Sequence, residues 1–144
     1  MWWRRSAIFF KRLKRPRRSN PAAPRGGLRG RLMRVHGTSM LPALRPGDVV
    51  FVQESAFRRR APRRGEIVVA RPSSLGGRAL VKRVVGTPRP DEYFLLGDHA
   101  AESLDSRTLG PMTRRELIGR VWLRVWPPRV LALDRVLSRA GQPS

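Results

Sequence analysis

From Leu32 onward, hydrophobic positions gather in short runs, each bounded by glycine or proline. The runs are Leu32–Val35, Asp48–Gln53, Glu66–Ala70, Ala79–Val85, Tyr93–Leu96 and Ile118–Trp126. Their β-branched and aromatic bias and their turn-rich boundaries predict strands of a small, mostly β body. In Ala79–Val85, alternation puts Leu80, Lys82 and Val84 on one face and Val81, Arg83 and Val85 on the other. Thr113–Leu117 reads as one helical turn. Beyond Pro127-Pro128, Val130–Arg139 reads as a short amphipathic helix. Residues 1–30 have another texture. Trp2, Trp3, Ile8, Phe9, Phe10 and Leu13 alternate with Arg4, Arg5, Lys11, Arg12 and Lys14 before prolines break the pattern. The expected organisation is a flexible basic arm over 1–30, one body over 31–128 and a tail with a short helix over 129–144.

No apolar run approaches the roughly 18–20 residues of a membrane span. The run ending at Phe10 stops at Lys11, too short also for the ~7–15-residue apolar stretch of a signal peptide. The expectation is a chain without a transmembrane anchor, either cytoplasmic or peripheral at a membrane.

Charge redirects this picture. The 144 residues carry 31 Lys+Arg against 10 Asp+Glu, a net +21. Such a balance suggests a nucleic-acid or anionic-membrane binder. No acid precedes Asp48, whereas 13 basic residues do; from Asp48 onward, 18 basic and 10 acidic residues leave +8. Residues 1–18 could therefore contact an anionic membrane surface. A nucleic-acid-binding module remains the alternative, although the β segments lack the exposed aromatic pattern of RNA-recognition sheets. By residue type, 28 of the basic residues are arginine and only Lys11, Lys14 and Lys82 are lysine. Cysteine is absent, which excludes disulfides and a thiol nucleophile. Two histidines and scattered acids give no metal constellation, and no cofactor is implied.

Candidate chemistry sits in Gly37-Thr38-Ser39-Met40-Leu41-Pro42-Ala43-Leu44-Arg45-Pro46-Gly47-Asp48. Ser39 lies between a glycine-ended strand and an apolar loop; Gly37 permits close approach of another backbone, and Met40 and Leu41 flank the serine. A nucleophilic serine needs a base within about 3 Å and donors for the oxyanion, and the Ser39 N–H is one candidate donor. Lys82 is the only lysine of the body and shares a strand face with two aliphatics. Burial can bring a lysine into the range of a general base, whereas arginine stays protonated. His36 and His99 are competing bases, and Asp98-His99 leaves an Asp-His-Ser arrangement open.

Four blocks in order resemble the type I signal peptidases. They are Gly37–Leu44, Arg64–Val69, Val81–Gly86 and Gly97–Pro111, spread over about residues 33–128. The resemblance implies a compact antiparallel β catalytic core acting as a serine endopeptidase with a Ser-Lys dyad, Ser39 as nucleophile and Lys82 as base. It implies that Ser103 contacts and orients the lysine, and that Asp105 and Arg107 support that region. Its substrate would be a precursor protein losing an N-terminal leader or propeptide. The chain departs from the family at His99, where asparagine is usual, at Gly37, where some members carry a serine hydroxyl, and at Glu66, where Asp is common. Only 14 residues separate Lys82 from Gly97, too few for the further β domain of full-size members. Small relatives of this kind include proteases proposed to mature nickel-type superoxide dismutase.

Overall fold

The computed structural model describes residues 11–12 and 29–130. Its strands are β1 Lys11–Arg12, β2 Gly30–Arg34, β3 Val49–Gln53, β4 Ile67–Ala70, β5 Leu80–Arg89, β6 Glu92–Leu96, β7 Met112–Thr113, β8 Leu117–Trp126 and β9 Arg129–Val130. One helical turn, α1 Ser106–Leu109, and three 3-10 turns interrupt them. All pairings are antiparallel, in the order β1-β2-β3-β8-β4-β5-β6-β7. β8 serves both sides of the sheet. Arg120 faces Gln53 of β3 on one edge and Val68 of β4 on the other, and further along Leu123 faces Phe51 and Val130. A ten-residue strand is long enough to carry β4 and β9 in succession along one edge.

The four residues of β4 are all buried. Ile67 and Val69 join a cluster with Met33, Val35, Met40, Leu44, Val50, Val52, Ala79, Val81 and Val121. Val68 and Ala70 join a second cluster with Phe57, Val84, Tyr93, Leu95, Met112 and Leu117. A strand covered on both faces loses strict polar alternation, and the curled sheet thereby encloses two small cores. The register sets Lys82 of β5 opposite Val68, and Leu80 opposite Ala70. Directly opposed residues share a face, so the lysine projects toward the second cluster's side.

The expected mostly β architecture is observed. Lys11–Arg12 of the anticipated arm form β1 against Met33–Arg34. Residues 1–10 and 13–28 lie outside the described residues, as do 131–144. The tail helix expected from Val130 onward therefore falls outside them except for Val130, which lies in β9 and pairs with Leu123. The expected helical turn near Thr113 is a 3-10 turn, Arg114–Glu116. It is closed by a capping box in which the Thr113 side chain and the Glu116 carboxylate each serve the other's backbone.

Candidate active site

Three chain segments converge on Lys82. The first is the loop holding Ser39. Its base closes where Val35 N–H donates to the Asp48 carbonyl and Gly47 N–H to the Val35 carbonyl, both at 2.8 Å. Met40 and Leu44 plug it into the first cluster. Inside it, Leu41 N–H bonds the Thr38 carbonyl at 3.0 Å and Leu44 N–H the Met40 carbonyl at 2.9 Å. Gly37 has φ 89°, a conformation that costs a side-chain-bearing residue energy. The loop is therefore fixed from both ends, and Ser39 is 1% exposed.

The second segment is β5. Lys82 is also 1% exposed, and its Nζ donates to Ser39 Oγ at 2.9 Å. Burial is the main influence on its charge and lowers its pKa from 10.5 to about 8; Asp105 pulls it up and Arg107 pushes it down.

The third segment, Gly97–Arg107, supplies that charged background. Buried Asp105 accepts from Ser103 Oγ at 2.6 Å, from Gly97 N–H at 3.1 Å and from Arg107 Nε and Nη2 at 3.0 and 2.8 Å. It also caps α1 by accepting from Arg107 N–H at 3.1 Å. Burial alone would raise the Asp105 pKa. The hydrogen bonds from Arg107, Ser103 and the backbone overturn that and hold it at about 2. The segment docks through backbone: His99 N–H donates to the Ser39 carbonyl at 2.8 Å. Gly97 passes so close that a Cβ there would collide with the Ser103 side chain and lie 2.7 Å from the Ser39 carbonyl oxygen. Here glycine is required by space rather than by φ.

The arrangement is a hydroxyl beside a buried amine of near-neutral pKa, with a fixed carboxylate behind it. Among the described residues no group of His, Asp and Glu could hold a metal ion.

The profile of the family described as signal peptidase, peptidase S26, matches residues 30–88 and 89–126. The chain belongs to this family. It is 33% identical over 115 residues to the mitochondrial ATP-independent inner membrane protease subunit 1b of Arabidopsis thaliana, covering 65% of this chain and 68% of that protein. It is 29% identical over 138 residues to a probable signal peptidase I-2 of a Synechocystis species, covering 67% of this chain and 63% of that protein. It is 29% identical over 117 residues to human mitochondrial inner membrane protease subunit 1, covering 68% and 70%. As a signal peptidase family member, the protein is a peptidase. Among the described residues no helix is long and apolar enough to cross a membrane.

The residues singled out in the sequence fall together in this peptidase. Ser39 meets Lys82, and Gly37 and Met40 shape the serine loop. Ser103, Asp105 and Arg107 form one hydrogen-bonded group. The hydrogen bonds of Ser103 run to Asp105 and Gly97, so its tie to the lysine passes through the carboxylate. Neither histidine side chain hydrogen-bonds the Ser39 hydroxyl, whose bond is to Lys82. His99 reaches Ser39 through its backbone, and its Nδ1, like His36 Nε2, is buried without a hydrogen-bond partner.

Two supporting contacts had not been anticipated. Arg83 makes a bidentate pair with Asp98 at 2.8 and 2.7 Å and also donates to the Gly65 carbonyl at 2.7 Å. Buried Ser106 accepts from Leu95 N–H at 2.8 Å, tying α1 to β6. The alternation of β5 placed Arg83 opposite Lys82, a usable signal for the first. A serine one residue after Asp105 carries none for the second.

Proposed function

We propose that this peptidase is a serine endopeptidase in which Ser39 and Lys82 form the catalytic dyad. The observation that carries the reading is the buried 2.9 Å contact between Lys82 Nζ and Ser39 Oγ, joined to a lysine pKa of about 8. In the neutral form, Lys82 takes the Ser39 proton as Oγ bonds to the scissile carbonyl carbon. The resulting ammonium gives that proton to the leaving amine as the peptide C–N bond breaks. Lys82 then draws a proton from the water that attacks the acyl–serine ester and returns it to Ser39 Oγ as the ester C–O bond breaks, releasing the new carboxyl terminus. Ser39 N–H is the oxyanion donor, since Gly37 brings no hydroxyl to that place. Asp105 and Arg107, with Ser103, set the field and position around the lysine. Met40 forms part of the apolar wall beside the serine.

The substrate is a precursor protein that loses an N-terminal leader or propeptide, bound extended by strand addition beside the dyad, with small residues at the cleaved bond as the family resemblance implies. Maturation of nickel-type superoxide dismutase is the narrower form of this proposal. The test incubates wild-type, Ser39→Ala and Lys82→Met protein with a leader-bearing precursor and with a nickel superoxide dismutase precursor, and reads new N-termini by mass spectrometry. Wild type should cut at one site and both variants should fall to background. Cleavage by folded Ser39→Ala at the wild-type rate would overturn the mechanism.

A further inference from the structure

Among the described residues, five acids are engaged in the ion pairs Arg31–Glu54, Arg60–Glu66, Arg83–Asp98, Arg107–Asp105 and Arg124–Asp48. The loop Arg58-Arg59-Arg60-Ala61-Pro62-Arg63-Arg64 is treated differently. Its backbone is held while its charge is left outward. Arg60 is spent inside: its Nη1 and Nη2 grip Glu66 at 3.0 and 2.6 Å, and it lies over the Phe57 ring. Arg63 N–H also donates to Glu66, at 2.8 Å. From β7's side, Arg114 Nη2 donates to the Phe57 and Arg60 carbonyls. Buried Pro62 seats the middle of the loop. Among the described residues, the exposed guanidinium groups of Arg58, Arg59, Arg63 and Arg64 make no ion pair.

A rigid loop bearing several outward arginines is preorganised for carboxylate or phosphate, because little order is lost when the partner arrives. The loop is also wired to the site. Gly65 N–H donates to the Val84 carbonyl, two residues past Lys82. The Gly65 carbonyl accepts from Arg83, whose other contacts fix Asp98, next to the residue that bonds the Ser39 carbonyl. The exposed members of the loop are arginines, Ala61 and no large apolar side chain, so it offers nothing for insertion into hydrocarbon.

We propose that Arg58, Arg59, Arg63 and Arg64 form a substrate exosite that binds a carboxylate-rich stretch of the precursor flanking the cleaved bond. The assignment of the partner as substrate rests on the proposed peptidase reading. The exosite contributes ground-state binding and leaves the chemistry at Ser39 unchanged.

The test uses full-length wild type, a loop variant (Arg58→Gln, Arg59→Gln, Arg63→Gln, Arg64→Gln) and a control in which exposed Arg29, Arg34, Arg71 and Arg89 become Gln. Each is titrated by fluorescence anisotropy with a labelled Glu-Ala repeat peptide and its Gln-Ala counterpart. Each is also assayed on a peptide cut at small residues and flanked by Glu or by Gln. Wild type and control should bind the Glu peptide about tenfold more tightly than the Gln peptide, as several exposed charge pairs acting together allow, and added salt should erase the difference. The loop variant should lose it. In cleavage the Glu flank should lower KM without changing kcat. Equal Glu-peptide affinity in wild type and loop variant, or equal losses in loop variant and control, overturns the proposal. Loss of binding to phosphatidylglycerol vesicles with unchanged peptide binding overturns it in favour of a membrane. If no peptide is cut by wild type yet the loop variant alone loses Glu-peptide binding, the acidic-peptide surface stands and the peptidase reading falls.

Discussion

Replacing Lys82 with methionine should stabilise the protein while abolishing cleavage. In the folded chain the lysine has a pKa of about 8, against 10.5 for an unhindered lysine. Below pH 8 folding must therefore bury an ammonium that prefers water, at a cost of about 3 kcal/mol for a difference of this size. Methionine has similar length, no charge and a good fit among Leu80, Val84 and Val68. Losing the bond to Ser39 offsets about 1 kcal/mol, leaving a net gain near 2 kcal/mol. For a domain of about 100 residues that is a rise in Tm of roughly 8–16 °C. The sign follows from proton binding. Between pH 8 and 10.5 the unfolded chain holds more protons than the folded one, so wild-type stability climbs with pH across that window and the methionine variant gains nothing there. Thermal and urea denaturation followed by circular dichroism at pH 7 and pH 10.5 would measure both. The advantage should be large at pH 7 and small at pH 10.5. A methionine variant no more stable than wild type at pH 7, or one whose advantage does not shrink with pH, would refute the buried, reluctant ammonium.

Other outcomes follow from the same geometry. The acid limb of kcat/KM should turn near pH 8, with activity rising about tenfold from pH 7 to the plateau, as the neutral fraction of such a lysine dictates; a limb near 6.5 would point to a histidine instead. Asp105→Asn should move that limb to lower pH and Arg107→Gln to higher pH, because the first charge raises and the second lowers the lysine pKa; shifts of the same sign in both variants would remove the electrostatic account. Asp105, at about 2 in the folded chain against 3.8 ordinarily, adds about 2 kcal/mol of stability. This is fully present above pH 4 and lost as pH falls through 2, so acid denaturation of Asp105→Asn should be flatter over that range. Leu44→Ala should cost about 2–5 kcal/mol by emptying the core beneath the serine loop, and activity should fall more than the unfolded fraction explains.

Legibility in the sequence followed the physics of each element. The six apolar runs correspond to β2, β3, β4, β5, β6 and β8 to within a few residues, because glycine and proline mark where extended backbone ends. β5 overran its expected end at Val85 and reaches Arg89. Gly86 and Pro88 read as turn residues, and the strand accommodates them with register shifts against β6. The two-residue strands β1, β7 and β9 are too short for any periodicity. Lys82 stood out because arginine was written almost everywhere else, and the structure encloses it as alternation suggested. The Asp105 hub was visible only through resemblance: an Asp-Ser-Arg triplet has no local pattern, and its meaning comes from Gly97 and Ser103 being brought within 3.1 Å of it. Nothing in the sequence of Arg58–Arg64 sets that run apart; what marks it is the anchoring of Arg60 on Glu66 in the structure.

Ser39 and Lys82 are 43 residues apart in the chain and meet only once the fold has formed and enclosed them both. Before that moment the lysine is hydrated, fully protonated and useless as a base. The proposed base is thus a property of the folded chain and not of the residue alone. If Ser39 and Lys82 are the dyad, an unfolded copy carries the same two residues without a base able to use the hydroxyl.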